Sequence, residues 1–162
     1  MSQRVSTAGM YLCYAVAASS SASRPTTGYK KVPEVKSMPS FNPAPETIES
    51  TTLEETEYKT YVPGLKDLGG ALEFGANLTD DLVDFWEDLM DDFASAFAAS
   101  IDVWFAIVHP KLSKATFFVG EPSPIGLNEA AVGSMAETTL YITPTSAPEQ
   151  ESKPTLATTA NG

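Results

Sequence analysis

The sequence predicts a mostly β domain, of the α+β class, with one flanking amphipathic helix packed over an open sheet face and a long early loop. Three observations predict it. Short apolar runs of strand length recur along the chain with alternating character. Twelve prolines and ten glycines gather between those runs and read as turns. One stretch alone, beginning at Thr79, changes to three- and four-residue spacing. A length of 162 residues suits one compact core of roughly 100–130 residues with less ordered ends. The 43% apolar content excludes a wholly disordered chain.

The first strand is expected over 10–17, where Met10, Leu12, Tyr14 and Val16 would share one face. The run 10–18 is short, follows a weakly positive start and is only superficially like a signal peptide. Nothing approaches the roughly 20 apolar residues of a membrane span. Residues 19–45 are rich in Ser, Pro and Lys and carry Arg24, Lys30, Lys31 and Lys36, so they read as a long loop, disordered or functional. From Glu46 onward, Ile48, Leu53, Tyr58, Tyr61 and Val62 are spaced for strands. Val62-Pro63-Gly64-Leu65 reads as a turn and Gly69-Gly70 as a breaker. Residues 71–78 alternate as a strand.

Thr79-Asp80-Asp81 then supplies a capping hydroxyl and two acids for a helix start. Leu82, Phe85, Trp86, Leu89, Phe93 and Phe97 mark one apolar face, and Asp84, Glu87, Asp88, Asp91 and Asp92 fill the other to about residue 98. Strands are expected over 101–108, closed by His109-Pro110, over 115–119, and over 137–143, stopped by Pro144. Residues 120–124 read as a loop. Residues 145–162 read as a disordered tail.

Charge and residue inventory exclude several functions. A net charge of −11, from 21 acids against 10 bases, argues against a protein that grips nucleic-acid phosphates or docks on an anionic membrane. Cys13 is the one cysteine and lies in an apolar run, so the chain holds no internal disulfide and no cysteine-based zinc site. His109 is the one histidine; no nucleophile elbow accompanies it, and it reads as a turn residue. The helix acids do not follow a calcium-loop spacing, and the glycines make no phosphate-binding fingerprint. No catalytic, metal or cofactor-binding residue is therefore expected, and the protein reads as non-enzymatic. Between Lys66 and Lys111 there is no base, while ten acids lie there. Such segregation suits a subunit whose oppositely charged surfaces meet in an oligomer, and it also arises in any soluble acidic protein.

Several phrases, in this order, carry a resemblance. They are Gly9-Met10-Tyr11-Leu12-Cys13-Tyr14-Ala15, Ile48-Glu49-Ser50-Thr51-Thr52-Leu53, Tyr61-Val62-Pro63-Gly64-Leu65-Lys66-Asp67 and Leu72-Glu73-Phe74-Gly75-Ala76-Asn77. Phe117-Phe118-Val119-Gly120 through Gly126-Leu127, and Leu140-Tyr141-Ile142-Thr143-Pro144, complete the set. Over about residues 9–144 the chain resembles the major tail tube proteins of bacteriophages with long non-contractile tails. The resemblance implies a β-sandwich or barrel-like tail tube domain over 9–144, preceded by an arm at 1–8 and followed by the tail at 145–162. It implies subunits that form hexameric rings, stacked into a hollow tube that encloses the tape measure protein and later conducts DNA without specific binding. No cofactor and no membrane partner are implied. The protein would be made in the host cytoplasm and built into the virion with other tail proteins. The loop 19–45 becomes an assembly element, with Lys30, Lys31, Pro33, Lys36 and Phe41 as its candidate contact residues. The helix is longer and more acidic than the family pattern implies. The reading of another class is a monomeric immunoglobulin-like binding or adhesin domain, which would stay monomeric at high concentration.

Overall fold

A computed structural model describes residues 9–21, 23–39, 45–54, 57–66, 70–127, 132–133 and 135–156. Eight strands form one antiparallel sheet: β1 Tyr11–Val16, β2 Lys30–Lys31, β3 Val35–Ser37, β6 Leu72–Asn77, β7 Val103–Val108, β8 Lys114–Pro122, β9 Glu137–Pro144 and β10 Glu149–Ser152. Two more, β4 Pro45–Glu49 and β5 Tyr61–Lys66, pair only with each other. The helix α1 spans Asp80–Ala98. The fold is thus mostly β with one helix, a curled antiparallel sheet forming a half-barrel.

The curl is visible in the strand order, β2-β1-β7-β8-β9-β6-β3. Its first and last members are consecutive in the chain. The backbone N–H of Val32 donates to Leu12 O at 2.8 Å, and that of Asn77 donates to Glu34 O at 3.0 Å. Residues 30–37 therefore tie one sheet edge to the other, with Glu34 turning through the left-handed region at φ 64°. The expected long loop at 19–45 thus carries two short paired strands within it. Tyr29 and Val32 are buried within that Pro- and Lys-rich stretch, and the edges of β1 and β6 leave backbone groups that need partners.

Strand β8 is the corner of the sheet. One of its edges takes β7. The other is shared, with Lys114–Phe117 pairing to β10 and Gly120–Pro122 pairing to β9. The first three residues of the expected loop at 120–124 thus lie inside the strand, since Gly120, Glu121 and Pro122 pair with β9. Gly120 is required where the strands converge: a Cβ there would lie 2.7 Å from Ile142 Cγ2 and 3.3 Å from Thr143 O.

The helix begins as its sequence dictates. Thr79 Oγ1 accepts from Leu82 N at 3.2 Å, and Asp80 and Asp81 sit in the positive first turn. At its end, Ile101 N donates to Ala96 O at 2.7 Å and Ser100 N to Phe97 O at 3.1 Å, with Ser100 at φ 58°. That pattern caps the last carbonyls with a left-handed residue that is serine instead of the usual glycine. Leu82, Trp86, Leu89 and Ala96 are buried against Leu12, Tyr14, Phe74, Phe105, Phe118 and Leu140 of the sheet. Each large side chain so buried contributes about 1.5–3 kcal/mol. Trp86 satisfies its ring N–H by donating to Ser123 O at 2.7 Å.

A second core lies on the opposite face of β1 and β7, formed by Cys13, Ala15, Tyr29, Ala106, Val108, Ala115 and Phe117. Leu12 to Ala15 are consequently all buried, and β1 is covered on both faces instead of one. Val16, expected inside, is about one-third exposed. The C-terminal segment helps to cover this face. Residues expected to be a disordered tail form β10 on β8, and Leu156 bridges to Tyr29. Thr155 N donates to Thr26 O at 3.0 Å. The segment is polar in sequence because its side chains stay in solvent; its backbone satisfies the β8 edge.

The expected turn at residues 62–65 lies inside β5, where Thr47 pairs with Pro63 and Ile48 with Val62. Proline is tolerated because β5 is an edge strand and its outer side needs no N–H donor.

Candidate assembly surfaces

The ribbon 29–37 positions four of the five residues singled out from sequence. Lys30 lies opposite Tyr14 and Lys31 opposite Cys13 on the β1 edge. Lys30 Nζ stands 3.8 Å from Asp92 Oδ2 and 5.9 Å from the Tyr14 ring centroid. The Tyr14 hydroxyl donates to the same carboxylate at 2.9 Å, and burial followed by that carboxylate raises its pKa. Asp92 therefore leaves the solvated face to which its helical spacing assigned it. It joins a polar cluster beside a groove of about 400 Å³ between β1, Gly28, Lys30 and the last turns of α1. Lys31 Nζ sits 5.0 Å from the Tyr11 ring centroid. Pro33 is half-buried in the turn between β2 and β3. Lys36 is ion-paired with Glu137 at the head of β9. Phe41 lies outside the described residues. Both ion pairs are roughly half exposed, so each is worth at most about 1 kcal/mol.

Upstream on the same segment, the Arg24 guanidinium lies 4.0 Å from the Phe117 ring centroid, and Tyr29 donates its hydroxyl to Pro25 O at 2.8 Å. These contacts hold 24–29 against the second core.

The β4–β5 hairpin is the surface that sequence reading did not isolate. Its strand positions are read correctly from Ile48, Tyr61 and Val62, but their exposure cannot be read from spacing. Ile48, Tyr58, Tyr61, Val62 and Leu65 are all exposed, Leu65 at 83%. Thr51 and Thr60 tie its two arms together, with Thr60 N donating to Thr51 Oγ1 at 2.9 Å.

His109 is buried at the end of β7, where its Nδ1 accepts from Lys111 N at 3.0 Å and its carbonyl accepts from Leu112 N at 3.2 Å. It is a turn-forming residue. Among the described residues no group of three or more His, Cys, Asp or Glu side chains could hold a metal ion, and no helix is long and apolar enough to cross a membrane.

No protein-family model matches the sequence, and no curated protein does either. The fold does match solved structures. One is a chain of the anti-feeding prophage baseplate, seen by cryo-electron microscopy with 6-fold symmetry, at a TM-score of 0.58 and 9% identity, covering 94% of this chain and 98% of that one. Another is a chain of the sheath-tube complex of an extracellular contractile injection system in its extended state, at a TM-score of 0.51 and 10% identity, covering 87% and 88%. At such identities the likeness is one of fold, and it spans most of both partners: this curled sheet with its single helix is a fold also found in a prophage baseplate and in a contractile injection system's sheath-tube complex.

Proposed function

We propose that the chain is a structural, non-catalytic subunit of a phage-type tail tube, assembling with copies of itself into stacked hexameric rings. The observation that carries this reading is the β4–β5 hairpin, a two-stranded sheet presenting Ile48, Tyr61, Val62 and Leu65 to solvent. An isolated hairpin is marginal in water, and exposed apolar side chains on it favour a protein partner. The likeness of fold to chains of a 6-fold symmetrised baseplate and of a sheath-tube complex supports a tail particle as the setting. The sequence phrases resemble the non-contractile family and the solved structures include a contractile particle, so the proposal is a tube subunit whether or not a sheath surrounds it.

In such a tube the subunit is located in the virion, and its neighbours are further copies, the tape measure protein and other tail components. A net charge of −11 suits a conduit: a wall poor in Lys and Arg does not hold phosphates, and DNA can slide through. Negative-stain electron microscopy of the concentrated protein, beside a size-exclusion trace, tests the proposal. Rings or hollow tubes of uniform diameter are expected. A strictly monomeric population, unchanged when a tail initiator complex is supplied, would favour the monomeric binding domain instead.

A further inference from the structure

The hairpin of β7 and β8 ends in two different chemistries. At its turn, Leu112 is 46% exposed between Lys111 and Lys114, both exposed. Lys153 anchors beside them by donating from Nζ to Pro110 O at 2.8 Å. The turn thus presents an apolar side chain with exposed lysines before and after it in the chain and a third held at Pro110. His109 braces it from below through the Lys111 N–H.

At the far end of the same two strands lies a groove of about 440 Å³, walled by Phe93, Phe97, Ile101 and Val119. Phe97 is 66% exposed although it belongs to the apolar stripe of α1, its ring 5.9 Å from that of Phe93. Asp102 and Glu121 stand exposed on the groove's rim, and neither is ion-paired among the described residues. The six residues of β7 separate the two ends by about 20 Å.

Apolar knob and apolar groove match in kind, and the bases around one match the acids around the other. We propose that the Leu112 turn of one subunit seats in the Phe97 groove of a second copy. Leu112 meets Phe93 and Phe97, and Lys111 and Lys114 reach Asp102 and Glu121. Long lysine stems cover apolar surface while their heads meet the rim carboxylates. Because knob and groove sit at opposite ends of the subunit, the contact is heterologous. It joins copies head to tail, closing a ring or extending a stack instead of ending at a dimer. This deepens the self-assembly reading and rests on it.

The test reverses charge on each side separately, in the full chain, with folding checked by circular dichroism. Sedimentation at low and high salt is compared for the wild type, for Lys111→Glu with Lys114→Glu, and for Asp102→Lys with Glu121→Lys. Each reversal alone should weaken association at least tenfold. A one-to-one mixture should restore it, since the reversed turn then meets the reversed groove. Added salt should weaken the wild-type contact. Leu112→Ser, at a half-exposed turn position, should weaken association without changing the salt dependence. A wild type that stays monomeric even when a tail initiator complex is supplied sinks the self-assembly reading and this contact with it. A wild type that assembles while both folded reversals assemble equally well, or whose reversals are not rescued by mixing, sinks the head-to-tail contact alone.

Discussion

Cys13 gives a pH dependence that can be signed from its surroundings. Burial pushes its thiol from 9.0 up to about 12, and the same cause pushes the Tyr29 hydroxyl up to about 12. Both groups are neutral when protonated. Above pH 9 the unfolded chain releases the Cys13 proton while the folded chain keeps it, so unfolding gains as pH rises. Stability should therefore hold through neutral pH and decline between about pH 9 and 12. In urea titrations at stepped pH, Cys13→Ala should delay the onset toward the tyrosine range; an unshifted onset would place the thiol in contact with solvent. Gly120 gives a steric case. The added methyl of Gly120→Ala meets Ile142 and the Thr143 carbonyl at the strand corner, where backbone cannot yield easily. A loss of about 1–3 kcal/mol in the urea midpoint analysis is expected, as for other overpacked sites. A neutral result would mean that the β8–β9 junction is looser than the register indicates.

Among the elements, α1 was the most legible in sequence and the C-terminal segment the least. The helix announces itself because cap, first-turn acids and apolar stripe are local features that agree with one another. Two residues escaped the pattern: Asp92, whose partner Tyr14 is 78 residues away, and Phe97, which the sheet leaves exposed. Strands β2, β3 and β10 were illegible for a common reason. They are short edge pieces whose contribution is backbone pairing, and their exposed Lys, Ser and Glu side chains carry no apolar period. Of the candidate surfaces, the basic character of the stretch with Lys30, Lys31 and Lys36 is legible in composition, whereas the hairpin's exposure and the Phe97 groove depend on what the fold leaves uncovered. The tail offers a direct measurement. Ending the chain at residue 148 removes β10 and the Leu156 bridge from beside Tyr29 and Phe117. If even one aromatic ring becomes exposed, more than about 2 kcal/mol is lost, readable as a lower urea midpoint and a weakened near-ultraviolet tyrosine signal. A dispensable tail would leave both unchanged.

At the scale of the whole molecule, the distribution of burial separates what folds alone from what waits for a partner. Strands β1, β7 and β8 are covered on both faces by the two cores, so their amides should open only with global unfolding. The β4–β5 hairpin belongs to neither core and keeps its apolar side chains in solvent, so its amides should exchange close to the rate of local fraying. Assembly should reverse that order at one place. If copies pack on the hairpin, hydrogen exchange over residues 45–49 and 61–66 should slow by at least tenfold between monomer and assembled particle, while β1 and β7, already protected, barely change. Residues 110–114 and 97–102 should slow together with the hairpin if the head-to-tail contact forms in the same particle. Protection confined to those two ends, with the hairpin still exchanging freely, would assign the hairpin to a partner other than a second copy and leave the Leu112 turn as the contact through which the subunits join.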